Sequence, residues 1–293
     1  MEKVLGNKKA VVIFLAPALL LFVTLIIIPI GMSSYYSTLK WDGLGEGTFV
    51  GFQNFINLFS NPTTGFVKAI VNSLILAFGS TVVQLPVALF FALVLARGVK
   101  GERFFLSVYF IPVMLSSIVI GQLWLKIYNP QYGMLNGFLS AVGLDSWCRS
   151  WLGDKETALI CVLVPILWQY IGYHMLLMYA GIKSISQDIR EAALIDGANE
   201  RQIAFWITIP MIKPIIKTCL LFAVTGSLKA FDLIFVLTGG GPAHATEVPS
   251  TLMVNMIFDR NKYGLGSANA VFIIVECFIF ALAIQKLFKT EEY

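Results

Sequence analysis

Charge is scarce in this chain: only 13% of its 293 residues are Asp, Glu, Lys or Arg, against about 25% in a typical soluble domain. Histidine is scarcer still. His174 and His244 are the two copies, and they cannot form an H-E-x-x-H site. The four cysteines, Cys148, Cys161, Cys219 and Cys277, have neither metal nor redox spacing. Three of them sit in apolar runs and read as small packing residues, so no disulfide and no metal is expected. No G-x-x-x-x-G-K-[ST] occurs, which argues against a P-loop ATP site. Gly43, Gly45 and Gly47 lack the spacing of a dinucleotide fingerprint and read as a mobile external turn. No serine or cysteine has the context of an activated nucleophile. The expectation is a chain that is not an enzyme and binds no cofactor of its own, and nothing suggests nucleic acid.

What remains is apolar. Hydrophobic residues make up 57% of the sequence, and the mean hydropathy is +0.79. That much apolar surface is better matched by lipid than by water. A helix needs roughly 20 apolar residues to cross about 30 Å of hydrocarbon, and six segments qualify: Val11–Ile30, Ala69–Ala96, Phe104–Leu125, Thr157–Ile182, Ile212–Leu237 and Gly264–Leu287. The first follows Lys8 and Lys9, as a secretory signal would. Its length and the absence of a clear A-x-A site favour an uncleaved helix. Pro86 should kink the second unless neighbouring groups satisfy the freed carbonyl. Ala88, Ala92 and Ala96 give that span a small-residue stripe suited to close helix approach. Lys229 and Asp232 interrupt the fifth, and Glu276 lies in the sixth. The fold class is therefore all-α, a polytopic bundle with six transmembrane helices.

Loop charge orients the bundle. With the N-terminus inside, the inner segments hold roughly twice as many basic residues as the outer ones, among them Lys3, Arg97, Arg103, Lys183, Arg190, Arg201 and Lys289. Both termini are then cytoplasmic. Trp41, Trp147 and Trp151 fall in external segments, as an interfacial aromatic belt would.

The inner loop between spans four and five, residues 184–214, is the most informative stretch. Ser184 and Gln187 have capping-box spacing, and Ser186 is a competing N-cap. Asp188 and Glu191 fall in the first turns of the helix so predicted, where negative charge suits the dipole. Asp196-Gly197 is a stop signal. A short helix, a bend and a second helix from about Asn199 are expected, with Pro210 and Pro214 steering the chain back into the membrane. A small, partly apolar helix bearing Ile189, Ala192, Ala193 and Ile195 suits docking in a partner's groove. It equally suits lying on the membrane surface.

Glu191-Ala192-Ala193, Asp196-Gly197-Ala198, Phe205, Ile209-Pro210 and Pro214 resemble the EAA loop of binding-protein-dependent ABC importer permeases. The likeness covers about residues 69–288, which it implies to be the permease domain, a type I ABC importer permease-like bundle. Residues 1–68 are then an added N-terminal helix and external loop. The resemblance implies that residues 187–197 are a coupling helix seated in a separate ATPase, with Glu191, Ala192, Ala193, Asp196, Gly197 and Ala198 as its contact set. Two ATP-binding subunits, a second and unlike permease, and an extracellular or periplasmic solute-binding protein are the implied partners, in the cytoplasmic membrane of a bacterium. ATP would be bound by the partners.

Thr238-Gly239-Gly240-Gly241-Pro242 with Ala245-Thr246-Glu247 resembles the external loop of carbohydrate permeases of the maltose and glycerol-phosphate type, which implies a sugar as substrate. This chain lacks the extra N-terminal spans and large insertion of the maltose member. By composition alone the stretch is a Gly-Pro turn. The fourth span carries Gln169, Tyr170, Tyr173 and His174, residues that avoid lipid and suit a path for hydroxyl-rich solutes or interhelical packing. The resemblance carries the path over to Gln169, Tyr170, Tyr173, Gly226, Ser227 and Ala230. Lys229 and Asp232, three apart, can pair on one helix or face the pore. A permease for a non-sugar solute and an ion-driven secondary transporter using Lys229, Asp232 and Glu276 are the alternatives.

Overall fold

A computed structural model describes residues 8–288. Lys3 and Lys289, both counted in the charge bias, lie outside the described residues. Among the described residues, five helices are long and apolar enough to span a membrane: α1 (Val12–Tyr36), α2 (Phe66–Ala96), α5 (Ala158–Lys183), the stretch Lys213–Thr238, and α10 (Tyr263–Leu287). A sixth crossing is available from α3 (Glu102–Met114) and α4 (Ser117–Ile127) taken together. Large apolar side chains such as Phe14, Phe78 and Phe278 are more than 60% exposed, a surface suited to lipid contact.

The third expected span is the one that departs most. It is two helices bent by 96°, not one rod. Pro112 weakens the end of α3, Leu115 is extended, and the Ser116 side chain accepts the Ile118 N–H to cap a new helix. The fifth span also breaks, into α8 (Lys213–Leu228) and α9 (Asp232–Thr238), with Phe231 at φ −140°, ψ −62°. Its second half packs on α4 so closely that a Cβ on Gly121 would lie 2.4 Å from Val236 Cγ1.

The expected kink at Pro86 does not break α2. A wide π-turn, Ser80–Gln84, precedes it, and the Leu85 N–H bonds to the Ser80 carbonyl five residues back. The same arrangement recurs before Pro29 (Val23–Ile27) and before Pro210 (Ile203–Thr208). Proline offers no amide to the carbonyl four residues earlier and crowds it. In each case that carbonyl falls inside the wide turn, where bonding shifts by one residue.

The described residues form two compact units. One comprises the chain up to Thr64 with Met253–Ile274. Here α1 leads into a two-stranded antiparallel ribbon, β1 (Leu39–Lys40) and β2 (Thr48–Phe49), a small exception to the all-α class. Asn54 donates to the carbonyls of Ser37 and Leu39, both at 2.8 Å. The Gly43–Gly47 turn is not a free loop. Trp41 donates to the Gly45 carbonyl and lies between Tyr36 and Tyr263, while Gly43, at φ +94°, abuts the Tyr263 ring.

The second unit comprises Gly65–Leu252 and the chain from Val275 on. Its core joins Ala88 and Ala92 of α2 to Met175 and Met178 of α5 and to Cys219 and Ala223 of α8. The small-residue stripe thus serves close packing, with Ala88 and Ala92 fully buried and Ala96 half-buried at its end. All four cysteines are free.

Candidate functional site

Two features of the second unit stand out, an exposed helical loop and a cavity whose largely apolar wall carries several polar side chains. In the loop, α6 (Gln187–Ile195) begins at Ser186, whose hydroxyl accepts the Asp188 N–H. Ser184 is not the cap. It closes α5 instead, donating its hydroxyl to the Gly181 carbonyl. At the other end Gly197 takes φ +82°, a value that disfavours any side chain. The Gly197 N–H reaches the Leu194 carbonyl and the Ala198 N–H the Ala193 carbonyl, which is the Schellman closure. Asn199 then caps α7 (residues 200–211) through a reciprocal box with Gln202. Pro210 lies inside α7, so the turn back comes at Ile212, ahead of α8, with Pro214 in that helix's first turn.

The surface of α6 is sparsely covered. Glu191, Ala192, Asp196 and Gly197 are exposed and Ala198 is half-buried. Ile195 is 86% and Leu194 46% exposed. Ala193 turns inward at 8%, so it seats the helix on its own chain and offers little to a partner. Glu191 accepts a hydrogen bond from Gln187 at 2.7 Å.

The cavity holds about 410 Å³. Gln169, Tyr170 and Tyr173 of α5 reach it, as do Gly226 and Ser227 of α8 and Ala230, Lys229 and Asp232 at the break before α9. Residues expected from separate spans therefore share one wall. Lys229 and Asp232 do not form the expected helical pair. The chain leaves helical geometry between them, and no ion pair joins them among the described residues. His174 of the same fourth-span cluster lines the space too, and so do Ser80, Gln84 and Ser117, which sequence reading did not assign to it. Ser227 donates to Ser80 at 3.0 Å, and Tyr173 packs on Phe222 with ring centroids 6.2 Å apart. Glu276 is buried at 6% but is not in the lining.

The Thr238–Glu247 segment is a bonded knot, not a plain turn. Asn72 of α2 donates to the Ala245 and Glu247 carbonyls at 3.1 and 2.7 Å. Thr238 and Thr246 join through their hydroxyls at 2.7 Å, and His244 pairs with Glu247.

Residues 84–290 match the family described as the binding-protein-dependent transport system inner membrane component. The chain belongs to that family. This inner membrane component is 37% identical to a probable ABC transporter permease protein, YurN of Bacillus subtilis, over 97% of each chain. It is 31% identical to the diacetylchitobiose uptake system permease protein NgcF of Streptomyces coelicolor, over 92% of this chain and 79% of that one. Its fold superposes with a TM-score of 0.85 on a chain of a bacterial alginate ABC transporter solved in complex with an alginate pentasaccharide-bound periplasmic protein. That match spans 98% of this chain and 96% of the other at 22% identity.

Proposed function

We propose that this inner membrane component is one half of the translocation path of an ATP-driven sugar importer in the bacterial cytoplasmic membrane, with both termini in the cytoplasm. A second, unlike permease completes the path. Two ATP-binding subunits supply the free energy, and an extracytoplasmic binding protein delivers the sugar. ATP is bound by those partners and not by this chain. Residues 69–288 are the permease domain, preceded by the helix and external loop of residues 1–68.

The observation that carries the reading is α6. It projects exposed apolar and acidic groups, Leu194, Ile195, Glu191 and Asp196, from a closure that Gly197 holds in a left-handed turn. A partner that grips Glu191, Ala192, Asp196, Gly197 and Ala198 moves the bundle if its two states contact α6 differently, and Ala193 keeps the helix seated. The sugar assignment is supported by relatives named for diacetylchitobiose and alginate. The cavity adds to it, since aromatic rings of Tyr170 and Tyr173 sit beside the hydrogen-bonding groups of Gln169 and Ser227. Lys229 and Asp232 act there as pore charges.

The test is to isolate the chain from its native membrane. An ATPase should accompany it, and hydrolysis should rise with sugar-loaded binding protein. Gly197→Pro and Glu191→Ala should each leave the protein in the membrane while stopping uptake. A chain that emerges alone and whose uptake collapses with ionophores would count decisively against the proposal, as would normal uptake in both variants.

A further inference from the structure

Attachment of α6 to the rest of its unit has little apolar support. Ala193 is its one buried residue, and a cavity of about 430 Å³ is lined by its first turns, the ends of α2 and α5 and much of α7. Charge spans this gap. Glu200, the first residue of α7, places Oε1 2.8 Å from Nη2 of Arg190 on α6 and Oε2 3.7 Å from Nε of Arg97 at the end of α2. Each carboxylate oxygen serves a different arginine, so one side chain ties three elements. Lys183 on α5, which also lines the cavity, is held by Glu102 at 3.5 Å. The two carboxylates therefore divide the three cations between them.

We infer that Glu200 is the positioning residue that carries displacement of α6 into α2. This rests on the importer reading above. The pairs are about 40% exposed, so each contributes little to stability and is screened by salt. Weak, directional ties fit a linkage that must hold position without locking the loop. Removing one should loosen coupling more than it lowers the amount of folded protein.

The experiment uses the whole importer, with its ATPase and binding protein, in proteoliposomes. It reads ATP hydrolysed per sugar imported for the parent, Glu200→Gln, Arg190→Gln, the double variant and Glu200→Asp. Glu200→Gln should raise the ratio by about threefold, equivalent to roughly 0.6 kcal/mol and within the range of an exposed pair. The double variant should be no worse than the worse single one, and Glu200→Asp should regain much of the coupling. High salt should raise the parent's ratio and leave that of Glu200→Gln nearly unchanged. A parent with coupled hydrolysis and a Glu200→Gln ratio equal to it overturns the tie alone, as do losses that multiply in the double variant. A parent without sugar-stimulated hydrolysis overturns the importer reading and the tie with it.

Discussion

Gly172→Ala tests how tightly α3 lies on α5. A Cβ built on Gly172 falls 1.9 Å from the Tyr109 carbonyl oxygen and 2.6 Å from its carbon. Real Cβ contacts essentially never fall below 3.0 Å, so the two backbones must part by about 1.1 Å. The obstacle is main chain and cannot swing aside as a side chain would. Overpacking typically costs about 1–3 kcal/mol, and a backbone clash belongs at the upper end. Alanine's helix preference returns about 1 kcal/mol, leaving a net loss of roughly 2 kcal/mol. For a chain of this size that lowers the unfolding midpoint by about 3 °C. Cys161 and Cys219 are free and buried, so a thiol-reactive fluorophore reports unfolding in nanodiscs. Gly137→Ala, where an added methyl meets nothing within 4 Å, is the control and should match or exceed the parent. A Gly172→Ala midpoint equal to the parent's would refute the packing argument.

Three further outcomes follow from the same geometry. Asn72→Leu strips the donor from two loop carbonyls, at about 1–3 kcal/mol each when left unmet; amide exchange over residues 239–248 should quicken by roughly tenfold or more. Asn199→Ala removes the cap on the Arg201 and Gln202 amides, worth about 1 kcal/mol; exchange at those two amides should rise about fivefold while α5 is unaffected. Gly226→Leu sets its Cβ where nothing lies within 4 Å and extends the side chain from the cavity wall; uptake should fall sharply with the thermal midpoint no lower than the parent's, and undiminished uptake would remove Gly226 from the path.

Much of this architecture was legible because the signals are local. Apolar runs located the spans, and Ser186, Gly197 and Asn199 mark the α6–α7 turn by capping chemistry. The alanine stripe on α2 announced close packing. The broken third span was not legible, because apolar content is the same on both sides of Ser116 and the cap there is one hydroxyl among many. Pro112 four residues earlier was the available hint. Ser80, Gln84 and Ser117 were missed as cavity residues because isolated polar groups in apolar helices carry no periodic signature. Asn72 was missed because its partners lie more than 170 residues away. Glu200 likewise reads as an ordinary charged residue until Arg97 and Arg190 are seen on either side of it. Gly172 was detectable in principle, since a glycine among bulky neighbours in a span invites close approach.

The wide turn at Ser80–Gln84 has a geometric consequence for the rest of α2. Asn72, Leu76, Ser80, Gln84, Ala88 and Ala92 recur every fourth position and are all buried. On a regular helix a step of four overshoots a full revolution by about 40°, so five such steps would rotate Ala92 roughly 200° away from Asn72. One additional residue in the coil takes back about 100° of that drift. Winding residues 80–84 at ordinary pitch with none removed would swing everything beyond them by about 100°, turning Ala88 and Ala92 out of phase with the half that holds Asn72, whereas deleting one residue there would keep the two halves in register.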